Sequence, residues 1–295
     1  MGPRVRVAIL GLLLACGIWF LPRVAPLAQA REQGFLVDPI HVDAAVAPDW
    51  FEGAIEEQLR ASLAELAPTP LRDDREVNEL VASLQRSSGW IGSIDRVEKR
   101  YPNRLEIEVA LREPVVLLRS AGGLVLVDAE GFVVAPADEG AAFLAMHELP
   151  LLHGVEAPRD AEPGLRIRDE RIDEGLRVAC ELAPHQESLA ARDLGVAVIN
   201  LLPQERLGGR AITEVELYTR SGLAIEWGRS STHPRFGALE PTPDVKVRGL
   251  LRVAAFHPEL AGIRRIRAQF DPAFVVFDEE MPVAAAPSPR SPSQR

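Results

Sequence analysis

The sequence has few of the residues that build catalytic and metal centres. Only two cysteines, Cys16 and Cys180, occur in 295 residues, and Cys16 lies inside an apolar N-terminal stretch. No intramolecular disulfide framework or cysteine-based metal site can be assembled from them, and Cys180, within a helical stretch, reads as a small core residue. Lysine occurs only at Lys99 and Lys246, and the formal net charge is −10. That balance argues against a nucleic-acid binder, which needs a basic face to contact phosphates. The plentiful arginine reads as a codon bias toward GC-rich DNA. The six histidines, at positions 41, 147, 153, 185, 233 and 257, form no HExxH pair and no other compact ligand spacing. His257-Pro258-Glu259 comes nearest, and it reads as the end of a helix whose last carbonyls the histidine caps. No GxSxG elbow, P-loop or GxGxxG occurs, and Gly208-Gly209 reads as a turn. We therefore expect no enzyme activity, no metal, no cofactor and no small-molecule substrate.

The longest apolar run, Val7 to Leu21, has 15 residues, short of the ~20 that span a bilayer comfortably. Arg4 and Arg6 precede it, and Trp19 and Phe20 near its end suit a membrane interface. Three readings are open: a retained anchor over residues 7–22, a signal peptide cut after Ala28-Gln29-Ala30, and a lipoprotein lipidated at Cys16. Apolar residues continuing past Cys16 favour the anchor. Residues 1–6 are then cytoplasmic, 23–34 a linker, and the rest extracytoplasmic, with the lipid bilayer as first partner.

With 47% apolar residues the remainder can pack real cores. Phe35 to Val42 reads as a strand. Pro48 to Trp50 opens a helix with Ile55, Leu59, Leu63 and Leu66 on one face, stopped by Pro68 and Pro70. Asp73 and Glu76 resemble a capping box, and Val77, Leu80, Val81 and Leu84 form the inward stripe of a second helix. Trp90 to Tyr101 returns as a strand, Pro102-Asn103 turns, and Leu105, Ile107, Val109 and Leu111 alternate with polar residues, Glu106 and Glu108 forming a solvated face. Beyond it, Leu124 to Val133 reads as a hairpin turning at Asp128 to Gly131. A helix is expected around Glu174 to Leu182, and a hairpin pairs Thr213 to Tyr218 with Leu223 to Trp227. Pro243 to Phe256 reads as a helix with Val247, Leu250, Leu251 and Ala254 inward. Two extended segments follow, Ile263 to Phe270 and Phe274 to Phe277. Residues 281–295, rich in proline and serine, read as a disordered tail.

A β-α-α-β-β unit over residues 35–114 behind an anchor has the layout of a POTRA domain. Trp90-Ile91, Val97 to Val109 (VEKRYPNRLEIEV) and Arg112-Glu113-Pro114-Val115 resemble the signature of the FtsQ/DivIB family of bacterial cell-division proteins. Leu124 to Val133 is similar to that family's L-V-D-x-x-G-x-V-F segment, Leu149 to Gly154 to its L-P-x-L-x-G, and Glu226-Trp227-Gly228 with Lys246 to its strand end and following helix. The resemblance covers roughly residues 1 to 280. It departs in the Arg112-Glu113 order, in Val42 to Ala47 where a glycine-asparagine turn is usual, in Pro272-Ala273, and in Asp278.

The resemblance implies an α+β fold: a transmembrane helix, the POTRA domain, and over residues 115–280 a mixed β-rich domain with helices on one side. It implies a non-enzymatic divisome scaffold in the bacterial inner membrane, which binds FtsB-like and FtsL-like membrane proteins and other divisome proteins and helps regulate septal peptidoglycan synthesis. Matched by position, Phe270, Phe274, Val275, Val276 and Phe277 form the edge that accepts a partner strand. The competing reading makes the three phenylalanines core aromatics. Arg96, Lys99, Arg100 and Arg104 make a possible basic docking patch, or a solvated face. The alternative for the whole protein is a secreted or lipid-anchored POTRA adaptor for outer-membrane protein export.

Overall fold

The computed structural model describes residues 55–57, 59, 73–100, 104–202, 205–207, 210–212 and 214–277. The apolar N-terminal run, the expected first strand, the Pro102-Asn103 turn and the tail lie outside these residues. Among the described residues no helix is long and apolar enough to cross a membrane. The fold is mixed α+β, with one large sheet and few helices. The protein divides into two compact units, Met1–Leu111 and Arg112–Arg295.

In the first unit, helix α1 (Asp74–Ser87) starts where Asp73 accepts hydrogen bonds from the backbone N–H groups of Arg75 (2.9 Å) and Glu76 (3.3 Å). A cap of this kind stabilises a helix by about 1 kcal/mol. Val77 and Leu84 are fully inward, while Leu80 and Val81 are half-buried at the margin of the stripe. Ile55 and Leu59, one helical turn apart, are also buried. Strands β1 (Ile91–Arg100) and β2 (Arg104–Leu111) pair antiparallel, with Val97 opposite Ile107. Leu105 and Ile107 are buried, as the alternation predicts; Val109 and Leu111 are half-buried toward the strand end.

The second unit is built on a nine-stranded sheet. Its strands are β3 (Pro114–Ser120), β4 (Gly123–Asp128), β5 (Val133–Pro136), β6 (Leu151–His153), β7 (Val196–Leu201), β10 (Val215–Thr219), β11 (Ala224–Gly228), β12 (Ile263–Arg267) and β13 (Phe274–Phe277). They lie in the order β13-β12-β11-β10-β7-β6-β3-β4-β5. A separate ribbon of β8 (Glu205–Leu207) and β9 (Arg210–Ile212) stands between β7 and β10 in sequence. The β3–β6, β6–β7 and β11–β12 neighbours run parallel and the rest antiparallel.

One row of side chains shows how the sheet is held. Register places Leu118, Leu152, Ile199, Leu217, Ile225 and Ile266 beside one another across six strands. All six are fully buried. Each contributes about 1.5–3 kcal/mol by leaving water. Helices α3 (Glu170–Leu182) and α5 (Pro243–Phe256) supply Ile172, Leu176, Val247 and Leu250 to the same core. Two shorter helices, α2 (Ala141–Met146) and α4 (Gln186–Ala190), complete the unit.

Three expectations need correction. Helix α3 begins at Glu170, not near Glu174, because Asp169 caps it by accepting from Arg171 N (2.8 Å) and Ile172 N (3.3 Å). Cys180 is exposed rather than in the core. At 100° per residue it lies about 130° around α3 from the face centred on Gly175, Ala179 and Leu182. In α5, Leu251 is only half-buried, and Val253 and Lys246 take inward positions instead.

The two edges of the sheet differ. At β5, residues 164–167, which follow β6, cover the outer side at the start of the strand: Val133 N donates to Leu165 O (2.9 Å), Gly164 N to Val133 O (2.7 Å) and Ile167 N to Gly131 O (2.8 Å). Among the described residues, strand β13 pairs with β12 alone.

Candidate partner-docking edge

Strand β13 is four residues long, and its apolar sequence FVVF would suit an interior strand. It lies instead at the end of the sheet, with Phe274 opposite Arg267, Val275 opposite Ile266, Val276 opposite Arg265 and Phe277 opposite Ile263. The buried row therefore runs out at Val275, which is half-buried and packs against the core from the margin. Phe270, Phe274 and Phe277 are 44%, 54% and 44% exposed. None is a buried core aromatic. Alternation sets Phe274 and Phe277 on opposite faces. Phe274 meets Phe270 edge-on at 5.6 Å, and Phe277 meets the ring of His257 edge-on at 5.6 Å.

The two faces beside the edge differ in chemistry. Phe274 adjoins an ionic ladder across β10, β11 and β12. Arg265 pairs with Glu226 (2.6 Å) and Glu216 (3.2 Å), and Arg267 with Glu226 (3.0 Å). The hydrogen bond from Arg265 to Glu226 raises the guanidinium pKa still further above its ordinary value. The Tyr218 hydroxyl, donating to Glu216 at 2.6 Å, is likewise raised, chiefly by that bond.

On the other face, α5 and β13 border a groove of about 370 Å³ whose walls include Arg248, Arg252, Phe256, His257, Ala273 and Val275. Phe256 is 77% exposed. Gly249 is what lets the helix come this close, since a Cβ there would lie 3.0 Å from the Ala273 Cβ.

Helix α5 is fixed by a buried cation. Lys246 Nζ donates to the Trp227 carbonyl (2.9 Å) and the Arg229 carbonyl (2.7 Å) at the end of β11, with Glu240 at 3.5 Å. Burial lowers the lysine's pKa, against the opposing pull of Glu240. The loop after β11 is held in turn by two carboxylates of α3. Glu174 accepts from Ser230 N (2.7 Å) and two nitrogens of Arg177, while Glu181 accepts from Ser231 N (2.7 Å), both serine hydroxyls and the Trp227 indole N–H (3.3 Å). Such fully partnered networks are strong only while every member is present.

Sequence reasoning missed this network and the outward face of α5. A signal for each is present: two glutamates seven residues apart within an otherwise inward helical stripe, and a phenylalanine on the helix's polar side.

The expected basic patch lies in the first unit and is interleaved with acid. Arg96 pairs with Glu98 and with Glu108 (3.5 Å), Arg100 with Glu98 (2.6 Å) and Glu106 (3.1 Å), and Lys99 with Asp74. Only the backbone of Arg104 is described, opposite Arg100. The half-buried Glu106 and Glu108 are thus ion-pair partners, and surface pairs of this kind contribute little to stability.

Of the histidines expected not to chelate, His257 ends α5, its N–H donating to Val253 O at 2.9 Å. Among the described residues no three or more His, Cys, Asp or Glu side chains are grouped to hold a metal ion. At β13 the arrangement offers a sheet edge flanked by aromatic and cationic side chains. No protein-family model matches this protein, and no curated protein matches it either, so the likeness to FtsQ/DivIB proteins rests on the sequence segments quoted above.

Proposed function

We propose that this is a membrane-anchored, non-enzymatic docking protein of the FtsQ/DivIB type, whose strand β13 receives an added strand from an FtsB-like partner paired with an FtsL-like protein. The observation that carries the reading is the open edge. An apolar strand at a sheet edge invites pairing with another polypeptide. The first unit, as a POTRA-like module outside the inner membrane, serves the other divisome contacts, and the assembly regulates septal peptidoglycan synthesis.

The test is binding of the full-length protein, in nonionic detergent, to the FtsB–FtsL pair of the same organism. Phe274→Asp should weaken binding by roughly a hundredfold, as loss of an aromatic anchor does. Its thermal stability should stay within about 0.5 kcal/mol of wild type, as for an exposed position. A folded wild-type protein that does not bind an intact pair would turn the reading toward the export adaptor.

A further inference from the structure

A second recess lies well away from the edge, where β3, β6 and β7 end. These three neighbours run parallel, so their carboxyl ends, Arg119-Ser120, His153-Gly154 and Asn200-Leu201, open on one side. In sheets with parallel strands, ligands bind outside those ends. A cleft of about 470 Å³ opens there, bordered by Arg119, His153, Gly154, Glu156, Asp169 and Arg171. It is five strand spacings from β13, about 24 Å at ~4.8 Å per strand.

Its walls are preorganised. Arg171 Nη2 donates to Gly154 O (2.8 Å) and Leu201 O (3.3 Å), tying the ends of β6 and β7 together. Gly154, at φ +86°, allows this closeness, since a Cβ there would lie 2.4 Å from Leu201 O. His153 Nδ1 lies 2.9 Å from Asn200 Oδ1, a contact that holds the exposed imidazole at the cleft.

The formal charges of the lining balance, Arg119 and Arg171 against Glu156 and Asp169, but neither arginine pairs with a carboxylate among the described residues. Among the described residues the Arg171 side chain bonds only to carbonyls, and its buried Nε has no hydrogen-bond partner. No ion pair or side-chain hydrogen bond engages the exposed Arg119 among those residues either. The Asp169 carboxylate is committed to the first amides of α3, so those amides offer nothing to a ligand and the attraction must come from side chains. Glu156, exposed at the margin, favours a ligand that carries an N–H donor beside its anion.

We propose that this cleft binds a carboxylate group flanked by peptide amides. The guanidinium groups of Arg119 and Arg171 would receive the carboxylate, as guanidinium geometry suits. Glu156 would accept an amide N–H. Either an acidic side chain or the free C-terminus of a polypeptide could supply the group.

Two probes separate those sources: N-acetyl-L-glutamate N-methylamide, whose only carboxylate is on its side chain, and N-acetylglycylglycine, whose only carboxylate is terminal. Each is titrated into the full-length protein in detergent while the His153 ring resonance is followed, with N-acetyl-L-glutamine N-methylamide as the uncharged control. The expected result is a saturable shift with at least one carboxylate probe, absent with the amide. Arg119→Gln should weaken it about tenfold, the loss of one charge-assisted hydrogen bond, with the unfolding temperature unchanged. The probe that binds more tightly identifies the source. No preference for carboxylate over amide, or an equal shift in folded Arg119→Gln, would overturn the proposal.

Discussion

The nine-stranded sheet ends in two short apolar strands that meet opposite fates. At β5 the first three residues are fully buried, and the backbone itself returns at Gly164 to Ile167 to bond the outer N–H and C=O of Val133. At β13 the two end residues are exposed phenylalanines, and β12 is its one neighbour among the described residues. Both edges belong to one core, so the contrast reflects the local sequence and not overall stability. An edge that the protein closes on itself is managed against association; an edge left apolar and open, beside an exposed Phe256 and two arginines, has the composition of an interface centre.

The comparison can be broken from either side. The largest effect is expected from Lys246→Met, which leaves two backbone carbonyls at the end of β11 without their donor and removes a buried cation from Glu240. Breaking such a network should cost about 3–5 kcal/mol in denaturant unfolding, and partner binding at β13 should weaken with it as α5 loosens. Next comes Ile167→Ala at the closed edge. Ile167 is buried in the core and anchors the covering segment. Its truncation should cost about 2–4 kcal/mol, and sedimentation should reveal new concentration-dependent self-association as β5 is uncovered. The smallest effect is expected from Gly249→Val, where the new side chain meets Ala273. Overpacking there should cost about 1–2 kcal/mol and reduce partner affinity by displacing β13 from α5, while the β5 edge is unaffected.

Where the sequence carried local signals, the structure agrees closely. Helix α5 spans Pro243 to Phe256, as read, because a proline at its first turn and His257-Pro258 after it mark both ends. Strand β13 spans Phe274 to Phe277, as read, set off by Asp271-Pro272. What sequence could not supply was long-range pairing. The parallel neighbours β3–β6, β6–β7 and β11–β12 join segments with whole helices or hairpins between them, and no turn residue announces them. For the same reason alternation put Phe274 and Phe277 on opposite faces but could not tell whether a further strand would cover them. Lys246 and Glu181 were illegible as buried groups because their partners, the backbone and hydroxyls of Trp227 to Ser231, come from a distant loop.

The most direct measurement is hydrogen exchange of the full-length protein in detergent, with and without the FtsB–FtsL pair. Strand addition requires that exchange slow at outward-facing amides within Phe274 to Phe277, while Val133 to Pro136 at the closed edge stay as they were. A bound pair that leaves exchange in β13 unchanged would contradict the assignment of the open edge as the docking site.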